Sequence, residues 1–140
     1  MRSIKIEEAV RFHGHLGPWL IMGILAGEFA LKRLKAEKYF GLDVKVSGAN
    51  DKPRSCIIDG LQLSSGATYG KGNIKKLSNH SKIEIIFVNK KNNKKLILIP
   101  KEKIVKELDR ITSHRESEEI AKNLYKKDCL QIFDLIYHNL

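Results

Sequence analysis

One apolar helix constrains this chain more than anything else in it. Pro18 suits the first turn of a helix, and Leu20, Ile21, Ile24, Leu25, Leu31 and Leu34 carry a broad apolar face from there to about Tyr39. Such a helix must be covered on several sides, so the rest of the chain has to be built around it. A bilayer is not the cover, because the stretch Trp19 to Leu31 is broken by Glu28 and is shorter than the roughly 18 residues a membrane span requires. Gly23 and Gly27 lie four apart and share one face, where the missing side chains let a second backbone come close. Glycine in a helix interior costs up to about 1 kcal/mol, so the pair needs a packing or functional reason. A second copy of the chain would supply it, and the surplus of apolar surface predicts a homodimer. A helix of the same chain around Cys56 is the other neighbour that would fit.

With 140 residues the chain is expected to be a single domain, since two would each be too small for a good core. Its 42% apolar and 30% charged residues are those of a folding chain. Met1 to Val10 alternates charge with aliphatic residues and has no leader pattern, which predicts a cytoplasmic protein with no membrane partner. The net charge of +10 suggests attraction to anions and is concentrated between Lys71 and Arg110, densest at Lys90, Lys91, Lys94 and Lys95. A nucleic-acid-binding module would interleave arginine or aromatic residues with such a run. Here the companions are asparagines, so the run reads as a solvated hairpin tip and not a nucleic-acid surface.

Periodicity predicts an α+β order. A short opening helix runs to Phe12 with Ser3 as cap, followed by the central helix, which Gly41 ends. A strand over 42–49 and a short helix over Ser55 to Leu63, with Asp51 or Ser55 as cap, come next. Three strands then cover Ile74 to Leu77, Ile83 to Val88 and Leu96 to Ile99, the last two forming a hairpin. Three amphipathic C-terminal helices finish the chain, the last carrying Leu130, Phe133, Ile136 and Tyr137. The core order is therefore α-β-α-β-β-β with a largely antiparallel sheet of about four strands. Residues 1–100 bear the motifs, and 101–140 add helices.

Two segments are unlike ordinary scaffold. Phe12-His13-Gly14-His15-Leu16-Gly17-Pro18 puts two imidazoles one glycine apart in a loop feeding a helix. Ser55-Cys56-Ile57-Ile58-Asp59-Gly60-Leu61-Gln62 makes Cys56 and Asp59 neighbours on a helix. Cys56 then lies in the first turn, where unpaired N–H groups and the positive end of the dipole favour thiolate. His13, His15 and Cys56 together are nitrogen and sulfur donors suited to zinc, and three protein ligands leave one position for water or substrate. Asp59 would then orient a ligating histidine or act as a general base. Cys129, among apolar neighbours, is expected to be buried and silent. Gly66-Ala67-Thr68-Tyr69-Gly70-Lys71-Gly72-Asn73 is not a Walker loop, being one residue short before Lys71 and having Gly72 where a magnesium-binding hydroxyl would stand.

The F-H-G-H-L-G-P string, the C-x-x-D-G-x-Q element at Cys56 to Gln62 and the G-x-T-x-G-K-G-N element at Gly66 to Asn73 together resemble one family. It is the N-terminal domain of the FmdE proteins associated with formylmethanofuran dehydrogenase, and the likeness runs over about Ile6 to Pro100. The resemblance implies the α-β-α-β-β-β core, a metal site holding zinc and a tendency to dimerise. By position it carries the metal role to His13, His15 and Cys56, with Asp59, Gln62, Thr68 and Lys71 around a cleft for a small, anionic molecule to which Lys71 offers charge. Many relatives have cysteine where Gly17 and Ala67 stand, and some carry a C-terminal zinc ribbon in place of the helices expected here. The resemblance leaves two functional readings: a metal-binding domain that works on a small ligand, and a non-catalytic accessory subunit of a larger oxidoreductase.

Overall fold

The computed structural model describes residues 2–78 and 82–138. Helix α1 spans Ile6–His13 and α2 spans Pro18–Leu34. Strand β1 (Leu42–Ser47) leads through a 3-10 turn at Arg54–Cys56 into α3 (Ile57–Ser65). Strands β2 (Ile74–Leu77), β3 (Glu84–Asn89) and β4 (Lys95–Pro100) follow. The chain ends with α4 (Glu102–Asp109), α5 (His114–Tyr125), the single turn α6 (Cys129–Ile132) and β5 (Phe133–His138).

The α+β architecture matches the sequence reading, with one strand more than expected. The sheet has five strands in the order β2-β1-β3-β4-β5. Only β1 and β2 run parallel, because α3 carries the chain back between them; the other neighbours are antiparallel. The extra strand is β5, placed where the spacing of Leu130, Phe133, Ile136 and Tyr137 predicts a third helix. That helix stops after one turn, between a capping box of Asp128 and Gln131 and the extended backbone of Phe133. From there Phe133, Leu135 and Tyr137 also satisfy a period of two, and pairing with β4 supplies the backbone hydrogen bonds that a bare sheet edge would lack.

Helix α2 sits at the centre of the core, buried almost continuously from Pro18 to Gly27 and again at Ala30 and Leu34. It ends at Leu34, short of Tyr39. Lys35 adopts a left-handed conformation (φ 51°, ψ 46°) there and returns its N–H to the carbonyls of Leu31 and Lys32. Ser3 does not cap α1. Its N–H and hydroxyl both donate to Glu28 Oε2, at 2.8 and 2.7 Å, so the one acid in the apolar stretch ties down the N-terminal segment. At α3 no side chain caps the helix, contrary to the expectation for Asp51 or Ser55.

The glycine face of α2 is occupied from within the chain, as the second of the two sequence alternatives has it. A Cβ on Gly23 would lie 2.2 Å from the Ile57 carbonyl and 2.9 Å from Gly60 Cα, so α2 and α3 meet backbone to backbone through Gly23 and Gly60. The glycine pair therefore says nothing about a second copy. The inner sheet face, with Val44, Val46, Ile85, Phe87, Leu96 and Leu98, joins the core. On the opposite face Ile86, Ile97 and Ile136 stand side by side across three strands, and Ile136 is 42% exposed.

Candidate functional site

The close contact of α2 and α3 sets the site. His13 ends α1, Gly14 turns the chain in a left-handed conformation, and Pro18 starts α2, so the H-x-H segment is folded over the start of α3. His13 Nδ1 there meets Asp59 Oδ2 at 2.6 Å. Asp59 also accepts at Oδ1 from Gln62 Nε2 (3.5 Å), and Gln62 Oε1 accepts from the Tyr69 N–H. With Nδ1 donating to the carboxylate, Nε2 of the neutral ring presents a lone pair. That nitrogen is buried and without a hydrogen-bond partner, in a side chain only 10% exposed. The His15 ring lies beside it, centroids 4.8 Å apart and tilted by 50°.

His13, His15 and Cys56 all line one cavity of about 280 Å³. Its walls are Gly17, Pro18, Trp19, Leu20 and Pro53 on one side and Leu108, Asp109, Ile111 and Ser117 on the other. The second group comes from α4, α5 and the loop between them. Sequence reasoning missed it, because no motif marks those residues and only packing brings them to the histidines. Asp109 accepts two hydrogen bonds from Arg54 Nη2, at 3.2 and 2.9 Å, which closes one rim. Gly17 has an extended backbone that any residue could adopt, and a Cβ there would lie 3.3 Å from His15 Cε1.

Two sequence expectations need correction. Cys56 closes the 3-10 turn and stands at the N-cap of α3, but the thiolate is not favoured there. Burial pushes its pKa up, the Asp59 charge adds to this, and Lys52 only partly opposes it. Lys71 and Thr68 do not line the cavity. Lys71 Nζ donates to the Gly66 carbonyl and to Thr68 Oγ1 and lies over the rings of Tyr39 and Phe40, while the Thr68 N–H donates to Asn73 Oδ1. The glycine-rich loop is thus a self-satisfied turn. Gln62 alone connects it to the cavity, through Asp59.

As a metal centre the site fits in its chemistry but is not gathered. The carboxylate–imidazole pair with a free, buried Nε2 is the arrangement that orients a metal ligand. Among the described residues, however, no three His, Cys, Asp or Glu side chains are close enough together to hold an ion. Cys129, by contrast, is sealed in the core, where burial pushes its thiol up to about 12. No single helix among the described residues is long and apolar enough to cross a membrane.

The model of one protein family, described as FmdE, molybdenum formylmethanofuran dehydrogenase operon, matches residues 12–139. The match includes the C-terminal elements, beyond the point near Pro100 where the motif-based likeness stops. A search of curated proteins finds no match. Among solved structures, the chain is similar to an FmdE-like protein of tungsten formylmethanofuran dehydrogenase type from Syntrophus aciditrophicus. That likeness has a TM-score of 0.64 at 19% sequence identity, covering 99% of this chain and 74% of that one, and it extends to the fold.

Proposed function

Since the chain belongs to the FmdE family, we propose that it is a metal-binding domain in which His13, His15 and Cys56 hold a zinc ion at the end of a ligand cavity. The observation that carries this reading is the buried Nε2 of His13, unpartnered while Nδ1 is held by Asp59. Closing the set takes side-chain rotation at His15, which is exposed, and at Cys56, which is half-buried. When bound, zinc supplies a Lewis acid and lowers the pKa of a water or ligand proton at its open position. Asp59 fixes the ring and tautomer of His13. The Trp19, Leu20 and Leu108 walls exclude water from one side, and Arg54 holds Asp109 at the rim.

The test is metal analysis of protein purified without added metal, followed by cobalt substitution. About one equivalent per chain, with a sulfur-to-cobalt absorption that disappears in Cys56→Ala, is expected. A protein that takes up no metal under saturating zinc refutes the reading.

A second reading, a non-catalytic accessory subunit of a larger oxidoreductase, draws on the operon in the family description and on the exposed aromatic cluster of Phe40 (69%) and Tyr69 (87%). Co-purification of a larger enzyme with tagged protein, lost in Phe40→Ala/Tyr69→Ala, would support it. The homodimer is also a proposal, with its seat moved from α2 to the outer sheet face at Ile86, Ile97 and Ile136. Sedimentation of Ile97→Lys as a monomer beside a dimeric parent is the expected result.

A further inference from the structure

The cavity walls carry information about the ligand that the motifs do not. Asp109 is the one Asp, Glu, Lys or Arg among the lining residues, and Arg54 already holds its carboxylate. Lys71, the cation expected from the sequence to receive an anion, is engaged on Gly66, Thr68 and two aromatic rings elsewhere. An anion in the cavity would meet the Asp109 and Asp59 charges with no lysine to offset them, and a free cation would find Asp109 already paired. The walls themselves are mainly apolar: Pro18, Trp19, Leu20, Leu108 and Ile111. A cavity of about 150 Å³ holds one benzene ring, so the 280 Å³ here takes a substituted ring or a molecule of similar bulk. At one end the buried Nε2 of His13 has no partner, and Cys56 lies on the same lining.

We propose that the cavity binds a small uncharged molecule with an apolar body and a single hydroxyl or thiol head. The head faces His13 and Cys56, and the body lies against Trp19, Leu108 and Ile111. This rests on the reading of the cavity as a ligand site and replaces the anionic ligand expected from the sequence with a neutral one. The head answers His13 Nε2, whose burial without a partner otherwise goes uncompensated. Apolar walls with one polar end orient a ligand and reject a charged isostere, which would have to be desolvated without a counter-ion.

Trp19 is the only tryptophan and lines the cavity, so its indole N–H is a single, assignable reporter in 1H–15N spectra. The probes are 4-ethylphenol and 4-ethylbenzoate, which share a body and differ in charge, titrated into chelator-treated protein and into protein with equimolar zinc. The expected result is a saturable shift of the Trp19 signal by 4-ethylphenol, at roughly tenfold or more lower concentration than by 4-ethylbenzoate in the chelator-treated protein. Ile111→Phe and Ser117→Phe, which fill the cavity from opposite sides, should each weaken 4-ethylphenol at least about tenfold while the rest of the spectrum keeps its dispersion. Tighter binding of the benzoate, or no saturable shift by either probe in both protein forms, overturns the proposal. Cobalt absorption at Cys56, recorded on the same samples, separates the two readings. Metal uptake without phenol binding refutes the ligand class alone, and phenol binding without metal uptake refutes the metal alone.

Discussion

The His13–Cys56 cavity and the Thr68–Asn73 loop are both built on α3 and its flanks, and both carry motif residues, yet their polar groups end in opposite states. In the loop, Lys71 is held by the Gly66 carbonyl and Thr68 Oγ1. Asn73 accepts from the Thr68 N–H and donates to the Tyr39 carbonyl at 2.8 Å, and the Tyr69 N–H is taken by Gln62. At the cavity, Asp59 occupies one nitrogen of His13 and leaves the other buried without a partner. A segment whose polar groups are satisfied by one another maintains shape; one that keeps a buried group open is prepared for something else. The state of these polar groups separates a structural motif from a functional one where residue types alone do not.

The largest test removes the platform common to both. Gly23→Val drives a side chain into the Ile57 carbonyl and Gly60, and a loss of about 3 kcal/mol or more in denaturant unfolding is expected. Gly70, where a Cβ would meet nothing, serves as control. Gly70→Ala should stay within about 0.5 kcal/mol of the parent.

Next comes Asn73→Leu, which strands the Thr68 N–H and the Tyr39 carbonyl inside the loop. It should destabilise by about 2 kcal/mol and leave zinc affinity unchanged by competitive chelator titration. Asp59→Asn is its mirror image, expected to change stability little and to weaken zinc roughly 10- to 100-fold through the loosened His13 ring. If both variants move both readouts equally, the division between loop and cavity fails.

The two cysteines repeat the contrast at smaller scale. Cys56 lines the cavity and Cys129 is sealed, so iodoacetamide on the native, metal-free protein should label Cys56 first. Cys129 also gives a pH signature. Its folded pKa of about 12 lies above the ordinary value of 9.0, so between those values the unfolded chain has lost a proton that the folded chain keeps. Its contribution is complete below pH 9.0 and declines as pH rises toward 12. At mid-range the decline amounts to about 2 kcal/mol, so the alkaline stability of Cys129→Ala should fall less steeply than that of the parent.

Much of this molecule could be read without its structure. The core helix, the β3–β4 hairpin and the order of the first elements follow from apolar spacing, a property of neighbouring residues that survives in any tertiary setting. The donors His13, His15 and Cys56 and the modifier Asp59 are legible because their residue types are unusual for scaffold. Harder cases arise where two local rules agree with the same letters. From Phe133 to Tyr137 the apolar positions fit a helix or a strand, and only the open edge of β4 decides for the strand.

What the sequence by itself determined is the chemistry on offer: which side chains can ligate, which segments are helical or extended, and that α2 had to be buried. The tertiary structure alone decided where that chemistry goes. It gave the glycine face of α2 to α3 and turned Lys71 away onto Gly66, Thr68 and the rings of Tyr39 and Phe40. It also brought Leu108, Asp109, Ile111 and Ser117 across to close a cavity around His13 and Cys56. The physical reason is that periodicity and residue type act over one or two turns of chain. A cavity wall drawn from segments about fifty residues apart exists only once close packing has fixed their distance.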